Sequence, residues 1–174
     1  PFQWLFPDLG KLNFGQAEFR PGPGVVAWAT TADGSSLKTS PLICYEAIFP
    51  DLGRDAAKLE ANTLLNLTND GWLDGTTEPE QHLLLSRVGS IETGRTLVRA
   101  TNTGISAFVT PDGSIHHRLP LKTRGGAVMD IPPPVHTLYL RGGWRFGALT
   151  TVAVLALYAY LLLQHKLRKD RKGA

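Results

Sequence analysis

Residues 42–46 read LICYE, and residues 66–72 read NLTNDGW. The first stretch is an apolar run that ends at the only cysteine of the chain, Cys44, a few residues ahead of a helical pattern that starts at Pro50. The second closes another apolar run, Thr63–Thr68 (TLLNLT), and opens into Asn69-Asp70-Gly71-Trp72. Short apolar runs bounded by turn residues are the pattern of buried strands. These two therefore set strands on either side of a helix.

The same alternation extends outward. Residues 25–29 (VVAWA) read as a strand followed by the turn Ala32-Asp33-Gly34-Ser35. Residues 97–101 and 105–109 read as two strands joined through Asn102-Thr103-Gly104, and Thr110-Pro111-Asp112-Gly113 is a turn from which 114–119 returns. A last strand is expected at 127–131, ended by Pro132-Pro133-Pro134. Two helices are expected. Residues 50–61 carry Leu52, Ala56 and Leu59 near helical spacing, with Pro50 suited to the first turn. Residues 79–95 carry Leu83, Leu84, Val88 and Ile91 on one stripe. The order strand, strand, helix, strand, helix, then several strands predicts a layered α/β domain with a mixed sheet.

Of the 174 residues, 43% are hydrophobic and 19% charged, which excludes a disordered or collagen-like chain. One cysteine excludes an intrachain disulfide and a Cys-rich zinc site. The net charge of +3 is local. Residues 164–174 hold five of the 18 Lys and Arg and one of the 15 acids, so residues 1–145 carry a net −1. A basic tail is not a groove-reading surface, and nucleic acid is not expected as a partner.

Residues 146–163, FGALTTVAVLALYAYLLL, contain no charge. As a helix this run is roughly 27 Å long, close to the hydrocarbon thickness of a bilayer. Trp144 stands near one end, and Tyr158 and Tyr160 approach the other, as interfacial aromatics do. The alternative, a buried core helix, leaves the basic tail that follows without a reason. The expected division is 1–143 as a globular part, 144–164 as a transmembrane helix and 165–174 as a basic tail. The positive-inside rule puts that tail in the cytoplasm and the globular part on the other side. No signal peptide is visible, and a start at Pro1 reads as the C-terminal piece of something longer.

Cys44 has two readings. A lone cysteine at the end of an apolar strand is a small buried core residue. A thiol at a strand-to-helix turn is also where a nucleophile is held up, with backbone N–H groups nearby to stabilise an oxyanion. Asn69-Asp70-Gly71-Trp72 follows a strand where α/β folds carry binding loops. Asn, Asp and Gly there are also ordinary turn formers. Trp72 in such a turn points to a contact with something.

LICYE, NLTNDGW, PEQH (79–82), SRVGSIETGR (86–95) and VRATNTGISAFVTPDG (98–113) together resemble the nitrilase-like carbon–nitrogen hydrolase superfamily. Within it the chain is similar to the apolipoprotein N-acyltransferases of bacterial inner membranes. The apolar segment favours them over soluble amidases. The resemblance implies a nitrilase-like α-β-β-α sandwich, of which this chain is the C-terminal part, followed by one membrane helix. It implies a Glu–Lys–Cys triad in which Cys44 is the nucleophile. The Glu and Lys are not matched here; Lys11, Glu18 and Lys38 lack the right context. Glu46 matches a supporting position, and Tyr45, Asn69 and Trp72 are the other supporting residues expected. The implied reaction moves an acyl group from a phospholipid to Cys44 as a thioester. The acyl group then passes to the N-terminal amine of a diacylglyceryl-cysteine in an apolipoprotein. The Tyr45 N–H is expected at the oxyanion, and no cofactor or metal is implied. The chain alone is expected to be inactive.

Further residues carry weaker signals. His82 supports the active-site loop or simply packs. His116 and His117, adjacent on a strand, are expected on opposite faces. Arg95 and Arg99 pair with acids or bind a phosphate headgroup. Two rival functions stay open: a membrane-tethered amidase that passes the acyl group to water, and a non-catalytic membrane-anchored binding domain.

Overall fold

The computed structural model describes residues 22–32, 35–73 and 75–172. Among these, strands β1 (Trp28–Ala32), β2 (Ser35–Ile43), β3 (Thr63–Thr68), β4 (Thr96–Thr101), β5 (Ser106–Val109) and β6 (Ile115–Leu119) form one sheet in sequential order. β2, β3 and β4 run parallel, and β1, β5 and β6 add antiparallel edges. Helices α1 (Pro50–Lys58) and α2 (Glu78–Thr93) make the two parallel crossovers. Right-handed crossovers that step in one direction put both helices on one face. The core lies there: Leu42, Leu64, Leu97, Ala107 and Val109 from the sheet meet Ala47, Ala56 and Leu83. Burying each leucine contributes about 2–3 kcal/mol. The opposite face keeps Ile43 and Leu67 exposed. One sheet with helices on one side is one α-β half of the expected sandwich.

The expected mixed sheet is present, with shifted edges. The strand expected at 25–29 starts at Trp28 instead. β2 begins seven residues before the apolar run, because Ser35–Thr39 pairs with β1. It ends at Ile43, so Cys44 and Tyr45 belong to the following turn. Pro41 is tolerated inside β2 because β1 pairs only as far as Thr39. Asp33 and Gly34 of the expected turn lie outside the described residues. Residues 127–131 form no strand and are mostly exposed. His117 has φ +48 beside a register shift between β5 and β6, which breaks the expected alternation with His116; both are exposed.

The expected inward stripe of α2 is overturned. Leu83 is buried, but Leu84, Val88 and Ile91 are exposed. The buried face is Pro79, His82, Leu83, Ser86, Ser90 and Thr93. Small hydroxyl residues let the helix approach the sheet and satisfy themselves on nearby carbonyls. Ser86 and Thr93 donate to the carbonyls of His82 and Gly89, each at 2.7 Å, and Ser90 donates to the Arg95 carbonyl at 2.5 Å. Gly94 ends α2 with φ +64, and a Cβ there would run into the Val135 backbone, so both the turn and the close approach require glycine.

Helix α3 (Phe146–Lys172) is 27 residues long, and Gly143–His165 is apolar enough to cross a membrane. It stays helical through most of the expected tail. None of its apolar core is buried in the protein. Thr150 and Thr151 donate to the Phe146 and Gly147 carbonyls at 2.8–3.0 Å, so both threonine hydroxyls of the apolar stretch are paired within the helix.

Candidate active site

β2 stops at Ile43, and Cys44 opens a 3-10 turn, Cys44–Ile48, with φ +53. The left-handed region costs a side-chain-bearing residue about 1–2 kcal/mol. Hydrogen bonds hold it. The Glu46 carboxylate accepts from the Ile43 N–H at 2.7 Å. The Asn66 amide donates to the carbonyls of Leu42 and Cys44, both at 2.9 Å. His82 Nε2 lies 3.3 Å from the same Cys44 oxygen.

These groups rest on a fully buried polar network. Arg99, 2% exposed, donates from Nη1 to Asn66 Oδ1, from Nη2 to Asp70 Oδ2 at 2.7 Å and from Nε to the Ile105 carbonyl at 3.2 Å. The protonation of His82 follows from its partners. A carbonyl only accepts, so Nε2 carries the hydrogen, and Nδ1 accepts from Arg99 Nη2 at 3.1 Å. Asp70 Oδ1 lies 3.2 Å from that Nδ1 but takes its hydrogen bond from Thr68 Oγ1 at 3.0 Å. Burial, followed by the nearby Arg99 charge, lowers the His82 pKa and keeps the ring neutral. Gly104 backs this network: a Cβ there would collide with the Asp70 carboxylate.

The thiol side of the turn faces an open cleft of about 540 Å³ lined by Ile43, Cys44, Leu67, Thr68, Asn69, Trp72 and Asn102. Asn69 Oδ1 accepts from the Gly71 N–H at 3.0 Å, and Trp72 Nε1 donates to the Asn69 carbonyl at 2.9 Å, leaving the indole 70% exposed. Cys44, Asn69 and Trp72 are therefore brought together. Tyr45 and Glu46 are not in that lining. Tyr45 stacks on His82 with centroids 4.5 Å apart and donates to Glu78, which pushes its phenol up to about 12. Glu46 caps the end of β2.

Asn66 and Glu78 are site supports that the sequence reading does not single out; it has Asp70 only as part of the loop tetrad and Arg99 only as an acid-pairing or headgroup-binding residue. A signal was present: Asn66 and Arg99 interrupt apolar strands at positions directly paired in the parallel register. Arg99 pairs with an acid and is too buried to meet a headgroup. Among the described residues Arg95 pairs with no acid; it donates to the carbonyls of Ala61 and Thr93. His82 takes the supporting role.

The family model described as Carbon-nitrogen hydrolase matches residues 10–138, a stretch that includes the Cys44 turn and the loop after β3. The chain belongs to the carbon–nitrogen hydrolase family. Among curated proteins it is similar to the apolipoprotein N-acyltransferase of Rhizobium etli, 51% identical over 72% of this chain and 23% of that protein. The enzyme of the same name from Brucella suis is 37% identical over 97% of this chain and 31% of that protein. The chain thus spans less than a third of these relatives' length. Among solved structures it is similar to the amidase from Nesterenkonia sp. AN1, in a mutant form carrying acrylamide at its active site cysteine. That similarity has a TM-score of 0.50 at 25% identity and covers 72% of this chain and 48% of the amidase. The nitrilase-superfamily fold expected from the sequence is thereby shown.

Proposed function

We propose that this chain supplies the nucleophile of a membrane-anchored apolipoprotein N-acyltransferase. The observation that most supports this reading is the setting of Cys44. It lines an open cleft with apolar Ile43, Leu67 and Trp72, in a chain that continues into an apolar helix long enough to span a bilayer. Such a cleft suits a fatty acyl chain delivered from a lipid surface better than a small polar amide.

In this reading a base takes the Cys44 proton, and the thiolate attacks the ester carbonyl of a phospholipid. The tetrahedral oxyanion is stabilised by backbone N–H, with Tyr45 the nearest candidate, and by a cation. Collapse expels the lysophospholipid alkoxide, which takes back the proton, and leaves a thioester. The α-amine of a diacylglyceryl-cysteine then attacks and gives a proton to the base, the C–S bond breaks, and the departing Cys44 thiolate takes that proton back. The Glu base and Lys cation belong to positions not matched in this chain. In this reading the enzyme sits in a bacterial inner membrane, with the globular part on the periplasmic face and the basic tail in the cytoplasm, an orientation that the positive-inside rule supports.

A membrane-tethered amidase is the second reading, favoured by the Nesterenkonia likeness. The acceptor separates the two. In phospholipid vesicles with a diacylglyceryl-cysteine peptide, N-acyl peptide and lysophospholipid are expected in equal amounts. Free fatty acid with unmodified peptide would establish the hydrolase instead.

A further inference from the structure

Outside the cleft, one unexplained feature is the apolar outer side of α1 and α2. Phe49, Leu85 and Val88 are 55%, 51% and 47% exposed, and none is used by the core or by the site. With Gly53 and Glu92 they line a groove of about 110 Å³ between the two helices, which reaches down to Leu42 and Leu64 of the sheet.

The segment that leads to α3 is fastened to the same two helices. The Val135 N–H donates to the Gly94 carbonyl at 2.8 Å, and Thr137 Oγ1 donates to the Glu92 carbonyl at 2.5 Å. The Leu140 N–H in turn donates to Thr137 Oγ1 at 3.2 Å. Trp144, two residues before α3, has two guanidinium groups against its ring. Arg54 of α1 lies 4.6 Å from the ring centroid and Arg145 lies 4.8 Å from it. Arg54 is braced by Asp51 at 2.7 Å. The clamp and the groove adjoin directly: Gly53 lines the groove and Arg54 holds the ring, while Glu92 lines the groove and anchors Thr137.

We infer that the outer face of α1 and α2, centred on Phe49, Leu85 and Val88, rests on the phospholipid surface that α3 enters. The inference rests on the reading that α3 spans a membrane. Continuity selects the occupant. A chain that leaves for the bilayer from a fixed point on the flank of α1 brings the apolar residues beside that point to the same surface. Trp144 and its two arginines have the chemistry of a headgroup boundary, an amphipathic ring with cations for lipid phosphates. The burial that raises the Glu92 pKa favours a neutral carboxyl in the groove and lowers the cost of lipid contact. α1 follows the Cys44 turn directly, so docking this face also sets the distance of the nucleophile from the lipid.

A photoactivatable residue at Val88, and another at Thr30 on the edge strand β1, tests this in the protein as it sits in native membranes. Carbonate extraction of the same membranes reports separately on α3. The expected result is retention in the membrane, phospholipid adducts at Val88 and none at Thr30. Retention with Val88 crosslinked to a second copy, to another segment of the same chain or to nothing would overturn the docking while leaving the span intact. Equal lipid adducts at both positions would overturn it too. Release by carbonate would remove the span, and the docking with it.

Discussion

The amide of Asn66 donates one hydrogen bond to the carbonyl of Cys44, at 2.9 Å. A second, of equal length, reaches the carbonyl of Leu42, so a single side chain in β3 grips the backbone on both sides of Ile43. The turn that lifts Cys44 out of the sheet is thus held from the neighbouring strand. Arg99 fixes the other end of the Asn66 amide and so ties β4 to the same point.

Asn66→Ala should therefore be costly. It leaves two carbonyls without that donor and takes one acceptor from a buried guanidinium. Each lost partner costs about 1–3 kcal/mol, and a total of roughly 3 kcal/mol is expected. Denaturant unfolding measures it. A loss below about 0.5 kcal/mol would show that the clamp does not hold the turn.

The Arg99–Asp70 pair should behave as a buried charge pair. Arg99→Met alone strands the Asp70 carboxylate and should destabilise by about 3–5 kcal/mol. Arg99→Met with Asp70→Leu should cost less than the sum of the two single changes, because no charge is then left unpaired. Additive losses would argue that the two side chains act independently.

The stability of the fold should fall in mild acid. His82 has a lowered pKa in the folded protein, first through burial and then through Arg99. The unfolded chain therefore binds a proton near the ordinary value of about 6.5, and the native chain binds it only at lower pH. Above that value the two states match, and stability is fully present. As pH drops from 6.5 toward the folded pKa, the unfolded state gains and stability is lost. His82→Gln, which keeps a donor for the Cys44 carbonyl, should flatten this slope in a series of melting curves. An unchanged slope would assign the acid sensitivity to other groups.

Trp72 should matter to transfer and little to folding. Its ring is 70% exposed on the 3-10 turn Gly71–Leu73 and lines the cleft beside Cys44. Trp72→Ala should change stability by no more than about 0.5 kcal/mol. Acyl transfer should drop about tenfold, the scale of losing part of an aromatic contact with a lipid chain. Intact activity per folded molecule together with a large loss of stability would make the ring a packing residue.

Cys44 should carry the acyl group and also bear strain. Mass spectrometry of the full enzyme in phospholipid without acceptor should find a fatty acyl group on the Cys44 peptide that neutral hydroxylamine removes. Cys44→Ser should nearly abolish turnover, because a hydroxyl is a far weaker nucleophile than a thiolate. At φ +53, Cys44→Gly should be more stable than Cys44→Ala by about 1 kcal/mol. An unmodified Cys44 with full activity in the alanine variant would refute the acyl-enzyme.

Sequence alone determined what depends on local order. The apolar runs located β3 to its end residues and the cores of β2, β4 and β5. Pro50 marked the start of α1, and an uncharged stretch of bilayer length marked α3. Cys44 was legible as the candidate nucleophile because the chain has one thiol and it ends an apolar strand. Tertiary structure alone decided which side chains work together. Periodicity assigned Leu84, Val88 and Ile91 to the core, but serines and a threonine occupy the inward face of α2, because hydroxyls that bond carbonyls allow closer approach to the sheet. Asn66, Asp70, His82 and Arg99 span 34 residues of chain and share one buried network only because parallel β3 and β4 lie side by side under α2. Their polarity was visible in the sequence; their mutual distances are a property of sheet register and helix placement.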